Sequence, residues 1–152
     1  MIYLLLSLFI ILADQVTKHL VRTMIMPHEA IEVLPFLQIV HIRNVGAAFG
    51  LFRGFGNITF IIISIAAIIA VFYLLVRDKK DRISYSLILG GAIGNLIDRI
   101  IYGDVTDFID LYAGRFHWPA FNVADSALTI GISLMFLIHL REILKGKVSI
   151  HG

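Results

Sequence analysis

The residues of this chain with the most chemistry to offer are aspartates set beside long apolar runs. Gly103-Asp-Val-Thr-Asp-Phe-Ile-Asp110 and Phe121-Asn-Val-Ala-Asp-Ser126 each adjoin a stretch long enough to cross a bilayer. An acid at the centre of a spanning helix costs roughly 3 kcal/mol on insertion scales, and less near the ends. An acid kept at such a place is a functional hypothesis, and two that converge are a stronger one. Two carboxylates a few ångströms apart cannot both ionise easily, so they share a proton. The ionised one takes a proton from water, and the protonated one donates to a carbonyl oxygen or a leaving amine. That chemistry is amide hydrolysis with water as the nucleophile. The pair assigned is Asp107 and Asp125, because the Asn-x-x-Asp context of Asp125 enters a helix. Asp104 and Asp110 are rival partners. Taken singly, Asp125 also reads as a helix N-terminal charge favoured by the macrodipole, and Asp107 as an ordinary loop acid.

Other chemistries find less support. With no cysteines there is no thiol nucleophile and no thiolate metal site. The six histidines show no metal-ligand spacing, so neither a metal nor a cofactor is expected. Ser126 has no obvious base, and His117 no clear partner. A formal net charge of +2 scattered along the chain does not suggest nucleic acid.

The elements that position the acids are membrane helices. Of the 152 residues 59% are hydrophobic and 16% charged, with a mean hydropathy of +0.89. Soluble domains carry about 25% charged residues, so this is an integral membrane protein of one domain, 1–152. The expected fold is all-α, with four transmembrane helices at about 2–24, 58–76, 84–102 and 121–140. A small extracytoplasmic β-cradle is expected between helices 1 and 2. The first apolar run lacks the basic start and the small-residue cleavage site of a cleaved signal peptide. Along it, Asp14 and Lys18 share a face at i and i+4 and could pair.

The run Ile31 to Ile42 is rich in β-branched and aromatic residues and reads as one or two short strands. The glycine-rich stretch after it, 44–56, with Asn44 and Gly46, reads as a plain loop or as a cradle that takes an extended peptide by strand pairing. Four basic residues between Arg77 and Arg82 mark a cytoplasmic loop at 77–83. Both termini are then cytoplasmic, and 27–56 and 103–120 extracytoplasmic. The third helix carries the spacing Gly90-x-x-x-Gly94, which permits close helix contact. Asn95, Asp98 and Arg99 form a polar face beyond it, with Arg99 available to neutralise Asp98 or to bond a loop or another carboxylate. The segment 103–120 reads as a short outer loop or re-entrant turn, with Trp118 in an aromatic belt. This topology gathers Asp14, Asn44, Asn95, Asp98, Arg99, Asp107, Asn122 and Asp125 at one side. A proton-coupled transporter would spread its acids through the bilayer depth. A non-catalytic lipid-binding or assembly protein would tolerate loss of either Asp107 or Asp125.

Taken together, five motifs resemble the lipoprotein signal peptidases, the type II signal peptidases of bacteria. They are Asp14-Gln-Val-Thr-Lys18, Asn44-Val-Gly-Ala-Ala-Phe-Gly50, Gly90-Gly-Ala-Ile-Gly-Asn-Leu-Ile-Asp-Arg99, Val105-Thr-Asp-Phe-Ile109 and Phe121-Asn-Val-Ala-Asp-Ser126. They occur in family order from the first helix to the last. The resemblance implies an intramembrane aspartic endopeptidase of the bacterial cell membrane, with its active site at the extracytoplasmic face. Its implied substrates are prolipoproteins carrying a diacylglyceryl group on a cysteine, cut just before that cysteine. It implies Asp107 and Asp125 as the catalytic pair. Asp14, Lys18, Asn44, Gly46, Asn95, Asp98, Arg99 and Asn122 are the implied supporting and substrate-binding set. The expected partners are membrane lipid, lipid-modified prolipoproteins and inhibitors of the globomycin type. Oligomeric state is not legible.

Overall fold

A computed structural model describes residues 1–27, 29–46 and 56–149. Four helices and four strands follow in the order α1 (Ile2–Met24), β1 (Ala30–Leu34), β2 (Leu37–Asn44), α2 (Gly56–Arg77), α3 (Arg82–Ile101), β3 (Val105–Ala113), β4 (Phe116–His117) and α4 (Val123–Ser149). Three helices, α1, α2 and α4, are long and apolar enough to cross a membrane. At 1.5 Å per residue α3 is also about 30 Å long, but its polar face dilutes its hydropathy.

The burial pattern is that of a protein solvated by lipid. The residues that α1 buries are Ser7, Asp14, Lys18 and Val21, while Leu4, Leu5, Leu8, Phe9 and Leu12 face outward. Only Leu75 is buried along α2. Water would invert this arrangement, because apolar surface is driven inward there. In hydrocarbon it is the polar groups that must find partners inside.

The bundle is centred on α3, which packs against α1, α2 and α4. Glycines on two of its faces permit this. A Cβ at Gly90 would sit 2.8 Å from Ile10 Cβ of α1, and one at Gly94 would sit 2.7 Å from Asp14 Oδ2. One at Gly91 would lie 2.4 Å from the Ala124 carbonyl oxygen of α4. The spacing singled out in the sequence therefore serves α1, and the intervening Gly91 serves α4.

The sheet corrects the expected architecture. Its order is β1-β2-β3-β4, and the paired strands run antiparallel. β3 and β4 come from the segment read as a loop, so the cradle draws on both halves of the chain. Aspartate disfavours strands, yet β3 holds Asp107 and Asp110, with Asp104 just before it. Each has a neighbour to bond: Arg43 for Asp104, Asn44 and Asn122 for Asp107, and Gln38 and His117 for Oδ2 of Asp110. Of the 44–56 loop, residues 47–55 lie outside the described residues.

Gly91→Val should force α3 away from the α4 backbone at the point where α4 begins. Overpacking of this kind costs about 1–3 kcal/mol. A lower thermal unfolding midpoint in detergent checks this.

Candidate active site

The site lies where α1, α3, the start of α4 and strand β3 meet. Its centre is Lys18, whose side chain is wholly buried. An ammonium has three donors and no acceptor. The three partners of Lys18 are Asp14 Oδ2 at 2.8 Å, Asn95 Oδ1 at 2.9 Å and Asp98 Oδ2 at 3.2 Å. The expected pairing of Asp14 with Lys18 is present. The other oxygen of Asp14 accepts the Ala124 N–H at 2.9 Å, an otherwise free donor in the first turn of α4.

Asp98 is neutralised by α1 rather than by its neighbour Arg99. Arg22 Nη2 lies 2.7 Å from Asp98 Oδ1, and Asp98 Oδ2 accepts the Thr106 N–H at 3.0 Å. Arg22 Nε donates to Thr106 Oγ1 at 2.8 Å, and its guanidinium lies 3.9 Å from the centre of the Tyr102 ring. Arg22 and Thr106 are absent from the sequence-based set. Arg22 continues the stripe of Asp14 and Lys18 by a further four residues, which was the available signal. Gln15 also joins, donating to Asp14, Asp98 and the Gly94 carbonyl.

Asn95 carries this network to Asp125. Its oxygen faces Lys18, which can only donate, so its amide nitrogen turns to Asp125 Oδ1 at 2.8 Å. Asn122 is the N-cap of α4 and Asp125 its third residue, and the two exchange capping bonds. The Asp125 N–H donates to Asn122 Oδ1 at 2.8 Å, and the Asn122 N–H to Asp125 Oδ2 at 3.3 Å. The Asn122 side-chain nitrogen then donates to Asp107 Oδ1 at 2.8 Å. Asn44 Nδ2 donates to Asp107 Oδ2 at 2.9 Å, and Asn44 Oδ1 accepts the Gly46 N–H at 3.0 Å. Asp107 is 2% exposed and Asn122 0%, whereas Asp125 is only partly covered. Burial, and then the negative charge of Asp125, push the Asp107 carboxyl up to about 7.

Arg99 takes the loop option. Its Nη2 donates to the Gly46 carbonyl at 3.4 Å, its guanidinium lies 5.3 Å from the Phe60 ring, and its charge acts on Asp125 and Asp107.

The rival acids have other partners. Successive strand residues face opposite ways, so Asp110 points away from the side of β3 that carries Asp107. Asp104 takes Arg43 Nε at 2.7 Å. Asp110 takes Gln38 at 2.6 Å and His117 Nδ1 at 2.8 Å, which supplies the partner His117 lacked in the sequence.

Comparison with known proteins matches this arrangement to one family. The family model described as signal peptidase (SPase) II matches residues 6–141. A lipoprotein signal peptidase of Thermodesulfovibrio yellowstonii is 47% identical over 90% of this chain and 93% of its own length. One from Halalkalibacterium halodurans is 45% identical over 97% of each chain. A bacterial membrane enzyme solved by the in meso method at 2.3 Å superposes with a TM-score of 0.86 at 38% identity, covering 93% of this chain and 88% of the other. The match spans the helices and strands that carry both carboxylates, and the chain belongs to the signal peptidase II family of membrane peptidases.

Proposed function

We propose that this chain is an intramembrane aspartic endopeptidase that removes signal peptides from diacylglyceryl-modified bacterial prolipoproteins. It cuts before the lipidated cysteine, using water activated between Asp107 and Asp125. The observation that carries this reading is Asn122. This wholly buried residue bonds both carboxylates and so holds the strand-borne acid beside the helix-borne one.

In the proposed cycle the pair shares one proton. Asp125, in the first turn of α4, has the helix N-terminus to favour its carboxylate form and acts as general base. Asp107 holds the proton and donates it to the scissile carbonyl oxygen as water attacks the carbon. The tetrahedral intermediate collapses when the leaving amine receives the proton that Asp125 took from water, and a diol hydroxyl returns its proton to Asp107, which restores the singly protonated pair. Asp14, Lys18, Asn95, Asp98 and Asn122 hold the pair in place. Asn44, Gly46 and Arg99 link it to the peptide clamp, formed by β1, β2 and the 44–56 segment. The sheet end faces outward from the cell membrane and both termini are cytoplasmic, in keeping with the basic 77–83 loop and with Arg141 and Lys145 on α4. A signal peptide is itself a membrane helix, so its cleavage site arrives at this face by lateral diffusion. A globomycin-type peptide competes for the same cleft.

The test is gel-mobility cleavage of a prolipoprotein with and without its diacylglyceryl group. Wild type should cut only the lipidated form, and Asp107→Asn and Asp125→Asn should each lose about 10²–10⁴-fold in rate while keeping the wild-type unfolding midpoint. Folded variants that still cut would refute the dyad.

Both burial and the charge of Asp125 favour the neutral form of Asp107. The singly protonated pair should therefore persist to about pH 7, with kcat falling as pH rises beyond it. The bond from Asn44 favours the carboxylate, so Asn44→Ala should move this alkaline limb to higher pH.

Lys18→Met should strand Asp14 and Asp98 without their shared cation, at about 3–5 kcal/mol for breaking a buried pair. A marked loss of folded yield measures it. Adding Asp14→Asn should restore part of that yield.

A further inference from the structure

One apolar feature lies away from the carboxylates. α1 and α2 both lean on α3 but barely touch each other, and a groove of about 670 Å³ opens between them. Its walls are Leu4 and Leu8 of α1 and Phe72, Tyr73 and Val76 of α2, with Leu89 of α3 in its floor. All of the groove's α1 and α2 residues belong to the halves of those helices remote from the sheet. Besides the Tyr73 hydroxyl, the polar side chain in the lining is Ser7, which already donates to the Ser86 carbonyl at 2.9 Å. The groove is lined almost wholly by apolar side chains and leads toward the basic end of the bundle.

Two arginines stand at that end. Arg77 lies 5.6 Å from the ring of Tyr73, which lines the groove. Arg82, the first residue of α3, lies 5.6 Å from the ring of Tyr3 on α1 and donates to the Val76 carbonyl of α2 at 3.5 Å. It thus spans the two helices that form the walls. Its Nε is sealed from solvent with no hydrogen-bond partner among the described residues. Of the nearby acids, Asp78 accepts the Lys80 N–H and the Tyr85 hydroxyl, and Glu142 pairs with Lys80. Asp81 is buried, 3.4 Å from His139 Nδ1, and neither of its carboxylate oxygens has a hydrogen-bond partner among the described residues. Arg77, Lys79 and Arg82 have no carboxylate partner among the described residues.

We propose that this groove is a binding site for one anionic phospholipid of the adjoining leaflet. An acyl chain lies between α1 and α2, and the phosphate rests on Arg77 and Arg82. The charge arrangement selects the occupant. A zwitterionic lipid fills the groove equally well but brings a cationic headgroup group to a cationic rim. The bound chain substitutes for the missing contact between α1 and α2. The inference is independent of the peptidase chemistry, since no residue of the carboxylate network takes part.

Native mass spectrometry of the full chain, released from nanodiscs of equal phosphatidylglycerol and phosphatidylcholine, tests it. Basic side chains at a membrane surface each favour anionic lipid several-fold, so wild type should retain phosphatidylglycerol about tenfold over phosphatidylcholine. Arg77→Ala with Arg82→Ala should abolish that preference, whereas Arg77→Lys with Arg82→Lys, and Lys79→Ala alone, should keep it. Leu8→Trp should fill the groove and reduce both adducts. Thermal midpoints of all variants report folding, and wild-type retention alone suffices for refutation. Equal retention of the two lipids by wild type would overturn the proposal. So would a preference that Lys79→Ala removes as completely as the arginine pair, or a photocrosslinker at position 8 that captures a prolipoprotein signal helix instead of lipid.

Discussion

The structure depends on one buried ammonium. Lys18 has no exposed surface, so each of its three N–H donors must find an acceptor inside the protein. It finds them on α1 itself and at two levels of α3. Three links toward Asp107 and Asp125 lie one bond further out. Asp14 reaches the start of α4, Asp98 reaches the backbone of β3, and Asn95 reaches Asp125. Because Lys18 can only donate, it also fixes which end of the Asn95 amide faces Asp125. A hydrophobic residue at position 18 could fill the same space and would carry none of this information. The charges close as well. Asp14 and Asp98 stand against Lys18 and Arg22, two acids and two bases, so the buried network is neutral where an uncompensated charge would be costly.

The second constraint is local and sits at the entry to α4. A helix begins with unpaired N–H groups, and a capping box normally satisfies two of them. Here the box is Asn122 with Asp125, and its acid is one of the two that face each other. The same Asn122 amide holds Asp107. The cap that starts the helix thereby sets the separation of the two acids. Strand β3 cannot shift by one residue without replacing Asp107 by a side chain from its other face, since a slip of one inverts every position. Its pairing of Ile42 with Asp107 and Asn44 with Val105 holds that register. A cap and a ladder, each ordinary alone, together place Asp107 where the charge of Asp125 disfavours its ionisation.

Much of this is legible in the sequence, for a physical reason. Lipid-facing helices must be apolar over their whole length, so a charge that survives in one stands out, and residues at helix ends on the same side must converge. Asp14 and Lys18 could be paired by helical spacing alone. The strand β3 could not be read, because it is buried on both faces through Phe108 and so lacks the alternation that marks a half-exposed strand. The role of Arg22 was hidden in the same way. A basic residue near a helix end looks like an interfacial anchor until the acid on the facing helix is known. Asp98 and Arg99 suggested each other by adjacency, yet neighbours on a helix point about 100° apart. The facing groups are the Lys18 and Arg22 side chains of α1 for Asp98 and the Gly46 carbonyl for Arg99.

The arrangement also bears on how the chain enters the membrane. α1, α2 and α4 are apolar enough to insert individually, whereas α3 carries Asn95, Asp98 and Arg99 into a medium that penalises each of them. The penalty on Asp98 is offset when Lys18 and Arg22 of α1 reach it, and that on Asn95 when Lys18, Asn122 and Asp125 do. The least apolar helix is therefore stable in lipid only as part of the assembled bundle. Its residues Gly90, Gly91 and Gly94 provide the close approach that assembly requires. The groups that hold Asp107 and Asp125 belong to the same network that binds α3 to its neighbours. Insertion of α3 and assembly of the carboxylate pair are thus a single coupled event.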